Sequence, residues 1–326
     1  MNVLNRGVRR FLHVGQDTFY RGLAALRIAC PVAVVSRPCG FFANYFITLN
    51  GIRFLNSLGL EAVPWWGASC LYFDDSTAPN VWARFFSATE PGRAAGPGGP
   101  PALKYRASAM GMTAYRAPTP RLAASALMRR FAAPRPSFQM DCDRFIAEAF
   151  GGRPAIGVHV RGTDAGRGLE DRTCIDTDLV DEEIRGSLSR YPDAVIFLAT
   201  DEDDILGRFR RRYGDRLRYR DGIRSPDQRS IHGHYDAGMP GSGFTKGRDV
   251  LVDALVLSRC QFLIRSHSAV TTFALCWNPS LPYVDLECRY LGAPSQPWLH
   301  EVPSAAVGGA GSVQQLDPGP SGRSRQ

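Results

Sequence analysis

The chain has 326 residues, 44% of them hydrophobic and 21% charged, which excludes a disordered polymer and a small disulfide-held domain and fits two domains of ordinary size. Its formal net charge is +8, and all but two of its 39 basic residues (Lys104 and Lys246) are arginines. The planar arginine fork suits phosphate, yet genomic base composition produces the same bias, and with no basic helix or aromatic RNA motif the charge does not make a nucleic-acid binder. Eight scattered cysteines include no C-x-x-C pair, so neither a zinc framework nor a disulfide scaffold is expected. A reducing, cytoplasmic compartment is.

The start of the chain carries Arg6, Arg9 and Arg10 and little acid. Its apolar runs are broken by Arg27 and Pro31, well short of the roughly 20 residues that span a bilayer. It reads as an exposed helix, with peripheral contact to an anionic membrane as the alternative. Next, Pro31–Pro38 is a strand candidate. Phe46, Leu49, Ile52, Phe54 and Leu55 follow at helical spacing, with Gly59 as the stop. Glu61–Ala68 is a second short strand, which completes β–α–β order. Trp65, Trp66, Trp82, Phe85 and Phe86 read as core, with a sugar-stacking platform as the sharper alternative. Thr89–Tyr105 is rich in Gly and Pro and reads as loop.

From Ala155 onward the pattern is clearer. Strands at Ala155–Val160, Ala194–Asp201, Arg216–Asp221, Gln261–Ser266 and Leu281–Glu287 alternate with helices at Thr177–Pro192, Glu202–Asp215, Gly247–Cys260 and Ser268–Pro279. His232–Asp249 reads as a polar, Gly-rich loop, and the chain from about Ser304 as a disordered tail. Alternating strands and helices imply a parallel sheet covered on both faces, whose ligands bind beyond the carboxyl ends of the strands. His159, Arg161 and Asp164 follow the first of these strands and Asp201 the second. Arg265, Ser266, His267 and Ser268 follow a later one. So many polar groups directed to one edge form a candidate site.

Each group has a plainer reading. Arg161 and Asp164 form either an ion pair closing a strand or a phosphate grip. Asp201 is a helix N-cap or a site carboxylate, and both can hold together. Ser266 and Ser268 cap a helix or, with its N-terminal N–H groups, hold an anion. His232 and His234 lack partners at metal-ligand spacing and read as loop histidines. A G-x-x-x-x-G-K-[ST] loop, a G-x-G-x-x-G turn and a G-x-S-x-G elbow are all missing, which argues against a P-loop kinase, a dinucleotide oxidoreductase and a serine hydrolase.

The segments "GVHVRGTD", "IFLATDEDDILGRFRRRYGDRL" and "GRDVLVDALVLSRCQFLIRSHSAV" resemble the three motifs of the α1,6-/α1,2-/protein O-fucosyltransferase superfamily, nearest to its bacterial nodulation-type and core α1,6 members. The resemblance spans Ala155–Glu287. "CGFFANYFITL" resembles the family's Gly-x-x-Asn loop, with Gly40 and Asn44 one residue further apart. The resemblance implies an α/β fold of GT-B type, two Rossmann-like domains facing across a cleft, and a metal-independent, inverting transfer from GDP-fucose. Arg161 matches the arginine on the β-phosphate, and Ser268 a phosphate-contacting serine. His159 and Asp253 match guanosine contacts, and Asp201 the acid after the second strand. The family's Lys after the motif Asp, and its Glu five residues past that Asp, are replaced by Ala165 and Leu169. Glu170, Asp164 and Asp171 are the alternatives for the base.

These readings divide the chain into a basic segment (1–30), an acceptor-side domain (31–150), a nucleotide-sugar domain (151–303) and a tail (304–326). The expected activity is glycosyl transfer from GDP-fucose or another GDP-sugar, with no cofactor. The acceptor is a hydroxyl of a glycan or lipid-linked oligosaccharide. A divergent, non-catalytic GDP-sugar or phosphate binder is the alternative.

Overall fold

The computed structural model describes residues 15–28, 30–87, 99–106, 121–162, 176–227, 231 and 242–292. Residues 15–25 are helical, and Tyr20 is buried against the body of the protein. Among the described residues no helix is long and apolar enough to cross a membrane.

The first sheet is parallel, in the order β2 (Glu61–Trp65), β1 (Pro31–Val35), β4 (Leu103–Tyr105). Helix α1 (Phe41–Ser57) links β1 to β2, and Gly59 follows it with φ +72°, a backbone that glycine adopts without strain. Leu103–Tyr105 corrects the reading of Thr89–Tyr105 as loop throughout. The edge of β1 supplies ladder partners to the last three residues, Val32 to Leu103 and Val34 to Tyr105. The aromatic cluster is core: Trp66 is fully buried and donates its indole N–H to Thr48 Oγ1 at 2.8 Å, and Phe85 and Phe86 are buried beside it. They lie in α2 (Val81–Phe85) and β3 (Phe86–Ser87), and β3 pairs antiparallel with β5 (Ala133–Pro134).

Two helices lead into the second sheet, α3 (Arg121–Phe131) and α4 (Pro136–Phe150). Helix α4 has Pro136 in its first turn and Gly151 in the left-handed conformation at its end, a matched start and stop. The sheet contains β6 (Ala155–Val160), β7 (Val195–Thr200), β8 (Leu217–Arg218), β9 (Phe262–Arg265) and β10 (Tyr283–Asp285), all parallel. Between them run α5 (Thr177–Arg190), α6 (Asp203–Tyr213), α7 (Ser242–Ser258) and α8 (Ala269–Trp277), and α9 (Leu286–Leu291) follows β10. The strand period of two sorts β6 and β7 between two cores. Ile156, Val158, Ile196 and Leu198 pack with Val180 and Ile184 of α5 and Leu206 and Phe209 of α6. Ala155, Val195, Phe197 and Ala199 join the opposite core, which holds α7 and runs on into the first sheet. At about 1.5–3 kcal/mol for each large apolar side chain fully buried, this double cover fixes the register of the central strands.

Helix α7 corrects the expected loop at His232–Asp249, because it already begins at Ser242. A Cβ on Gly243 would stand 2.5 Å from the Tyr72 carbonyl, and one on Gly247 would stand 2.5 Å from the Phe85 ring. The glycines that read as loop signals are where the helix lies against the first half of the chain.

Candidate functional site

The strand order β8-β7-β6-β9-β10 reverses between β6 and β9. The chain winds outward from β6 through β7 to β8 and then returns to the other side of β6. The connections diverge there and leave a crevice at the carboxyl ends of the strands. A cleft of about 860 Å³, its open mouth included, occupies this place. His159 lines it from β6, Arg161 from just beyond β6, Asp201 from the end of β7, Ser268 from beyond β9 and Asp253 from α7. Tyr72 closes it from the first half of the chain.

His159 is buried, and its Nδ1 lies 3.4 Å from Ser266 Oγ. Burial pushes its pKa down to about 4; Asp201 opposes that shift, while Arg161 and Arg265 reinforce it. The imidazole is therefore neutral near neutral pH and acts as a hydrogen-bonding group, while positive charge enters the cleft through arginine. Tyr72 accepts the Phe41 N–H at 3.1 Å. Burial raises its phenol well above the ordinary value, although the Arg161 charge pulls the other way, so Tyr72 is a neutral wall of the cleft.

The Gly162 N–H donates to Asp201 Oδ1 at 2.9 Å, which fixes the chain immediately past Arg161. This corrects the N-cap reading of Asp201: Glu202 holds the cap position of α6, and Asp201 bridges from β7 to the end of β6. Gly162 has no room for a side chain, because a Cβ there would collide with the Glu202 carboxylate. Ser268 is the N-cap of α8, its hydroxyl accepting the Val270 N–H at 3.2 Å. Cap and cleft-lining roles are combined in this one residue.

Asp249 and Asp253 are one helical turn apart on α7, and both are anchored by Arg220. Its Nη1 donates to Asp253 Oδ1 at 3.0 Å and to the Asp249 carbonyl at 3.1 Å. Burial raises both carboxyl pKa values and the Arg220 charge opposes this. Arg224 also lines the cleft, and its Nε is buried without a hydrogen-bond partner.

Of the residues singled out in the sequence, His159, Arg161, Asp201, Asp253 and Ser268 come together around one cleft. Ser266 stands behind His159. Gly40 and Asn44 do not line the cleft. Gly40 precedes α1, and the Asn44 amide is committed to Arg37, accepting its N–H at 2.9 Å and donating to its carbonyl at 2.7 Å. They hold the turn that leads to Phe41, whose N–H donates to Tyr72. Arg265 is fully buried beneath the sheet edge, donating to Asp285 Oδ2 and Thr271 Oγ1. Asp164, Glu170, Asp171, His232 and His234 lie outside the described residues. Sequence reasoning missed Tyr72, Arg224, Lys246 and Asp249. The helical spacing of Asp249 to Asp253 was a usable signal, and so was Lys246 as one of two lysines. Nothing local marked Tyr72 or Arg224.

The model of the nodulation protein Z (NodZ) family matches residues 124–290. The structure of the NodZ α1,6-fucosyltransferase soaked with GDP-fucose superposes with a TM-score of 0.50 at 18% identity, covering 77% of this chain and 93% of that one. The fucosyltransferase NodZ from Bradyrhizobium gives 0.47 at 17% identity, with 76% and 92% covered. POFUT1 in complex with GDP gives 0.33 at 11% identity, with 50% and 49% covered. No curated protein matches the sequence. With its two parallel sheets, the fold is the GT-B type of the first of these structures.

Proposed function

The chain belongs to the nodulation protein Z family of glycosyltransferases, and from that premise we propose that it transfers fucose from GDP-fucose to a hydroxyl of a glycan or lipid-linked oligosaccharide, with inversion and without a metal ion. The carrying observation is the placement of Arg161 at the mouth of β6, in the crevice where the strand order reverses, with Ser268 of the α8 N-terminus across the cleft. Departure of GDP builds negative charge on the β-phosphate. The Arg161 guanidinium, on a backbone held just beyond it by the Gly162–Asp201 hydrogen bond, with a serine hydroxyl at a helix N-terminus, stabilises that charge where it develops. That is the task a divalent cation performs in other transferases.

In this reading residues 31–150 form the acceptor side and 151–303 the nucleotide-sugar side. The neutral His159 and the Arg220-anchored Asp253 contact the guanosine. An inverting displacement needs a base for the acceptor hydroxyl proton, and Glu170, Asp164 or Asp171 supplies it. Ala165 and Leu169, which replace the family's Lys and Glu, favour a second reading, a GDP-sugar binder without turnover.

The test is a thermal-shift screen of GDP-sugars, followed by GDP release with and without candidate acceptor glycans. GDP-fucose raises the melting temperature because it binds only the folded chain. GDP release then depends on an acceptor and is unchanged by Mg²⁺ or Mn²⁺. Glu170→Gln keeps GDP binding and loses turnover; full turnover in that variant removes Glu170 as the base. No shift with any GDP-sugar rules out both readings, and a shift without release leaves the second.

A further inference from the structure

On the far side of the β9–α8 turn from the cleft, His267, Asp285 and Cys288 converge, their ligand atoms within 4.8 Å of one another. His267 Nε2 lies 2.9 Å from Asp285 Oδ1 and 3.7 Å from Cys288 Sγ. We propose that these three side chains form a binding site for a zinc-class divalent cation that pins the loop carrying Ser266 and Ser268. The site is separate from the donor cleft and stands whether or not the donor reading holds.

Asp285 Oδ1 is the shared centre of this cluster: it lies 2.9 Å from His267 Nε2 and accepts the Cys288 N–H at 3.1 Å. A cation between Nε2, Oδ1 and Sγ would take the place of the imidazole proton in joining them.

The distances suit it. Zinc–ligand bonds of about 2.0–2.3 Å put tetrahedral ligands roughly 3.3–3.7 Å apart. The nitrogen–sulfur separation already fits, and the nitrogen–oxygen pair needs to open by well under an ångström. A thiolate, imidazole and carboxylate set selects zinc over magnesium or calcium. The fourth position is open to water, since the His267 side chain is 23% exposed.

The surroundings are arranged as around a metal. Asp285 Oδ2 is held at 2.9 Å by the fully buried Arg265, itself positioned by Thr271, which leaves Oδ1 directed at the cluster. Such outer partners orient ligands. Glu287 Oε1 accepts the backbone N–H of His267 at 2.7 Å, which holds the turn and not the imidazole ring, and its other oxygen is buried without a hydrogen-bond partner. With Cys288 as thiolate, the three negative charges of Asp285, Glu287 and Cys288 match Arg265 plus a dication. The missing C-x-x-C pattern misleads because the ligands come from two separate segments, the β9–α8 turn and the β10–α9 junction.

The test uses the untagged full chain, stripped with a chelator and titrated with Zn²⁺ by calorimetry and with Co²⁺ by absorption. Expected are saturable uptake of a single ion, a sulfur-to-cobalt charge-transfer band and a higher melting temperature with Zn²⁺. Cys288→Ser loses the band, and His267→Gln weakens binding by about tenfold or more. Far-UV circular dichroism, and the nucleotide thermal shift where wild type shows one, confirm that both variants are folded. Lack of saturable binding by wild type overturns the site, as does an equal cobalt band in Cys288→Ser.

Discussion

Asp74 Oδ2 accepts the backbone N–H of Phe244 at 3.0 Å, so the first turn of α7 is capped by a carboxylate 170 positions earlier in the chain. Burial pushes this carboxyl up, but hydrogen bonds from Ser76, Phe244, Gly243 and Thr77 outweigh that and hold it below its usual value. Asp74→Ala removes the cap and the charge at the helix N-terminus. We expect a loss of about 1–2 kcal/mol in urea unfolding, and about half of that for Asp74→Asn, which keeps an acceptor. An unchanged midpoint in Asp74→Ala would show that this contact does not hold the two halves together.

Arg161→Ala should leave the fold intact, because the side chain lines the cleft and lies outside both cores. The expected outcome is an unaltered circular dichroism spectrum and no GDP binding detectable by calorimetry. GDP affinity equal to wild type would remove Arg161 from the donor site.

His159 makes stability depend on pH. Its folded pKa of about 4 lies below the unfolded value of about 6.5, so the unfolded chain binds the extra proton first. Stability from this group is fully present above pH 6.5 and falls as the pH drops toward 4, by on the order of 3 kcal/mol across that window. His159→Gln should flatten the fall in denaturation curves taken between those limits. A slope identical to wild type would place the titration elsewhere.

Gly162→Ala drives a methyl group into Glu202 and against Ile205 Cδ1, 2.8 Å from the new carbon. Either the Glu202 and Ile205 side chains or the strand end must move, and movement of the strand end loses the hydrogen bond to Asp201. The expected cost is about 1–3 kcal/mol in stability, together with weaker GDP binding. Glu202→Ala in the same chain removes the collision with the carboxylate and should restore part of the affinity; no restoration would mean that the carboxylate clash is not the cause.

The second half was legible because buried parallel strands and amphipathic helices leave strong periodic signals, and Ala155–Val160 and Val195–Thr200 were readable to within a residue or two. The beginning of α7 was not. Its cap, Asp74, is distant in sequence, and Gly243 and Gly247 serve close packing that no local pattern reveals. The strand at Leu103–Tyr105 exists because β1 offers it an edge. In the candidate site, the residues at strand ends could be named in advance, since the edge of a parallel sheet gathers them. Tyr72 could not, because its place in the cleft follows from how the first half packs. Asn44 was named, but the structure commits its amide to the backbone of Arg37.

The cleft draws Tyr72, His159, Lys246 and Ser268 to one place from widely spaced parts of the chain. Long loops must close before these groups meet, so we expect the cleft to form late in folding. Nucleotide binding then reports completion: a nascent or truncated chain ending before Ser268 has most of its strands but no pocket. Refolding followed by nucleotide fluorescence should lag behind refolding followed by circular dichroism.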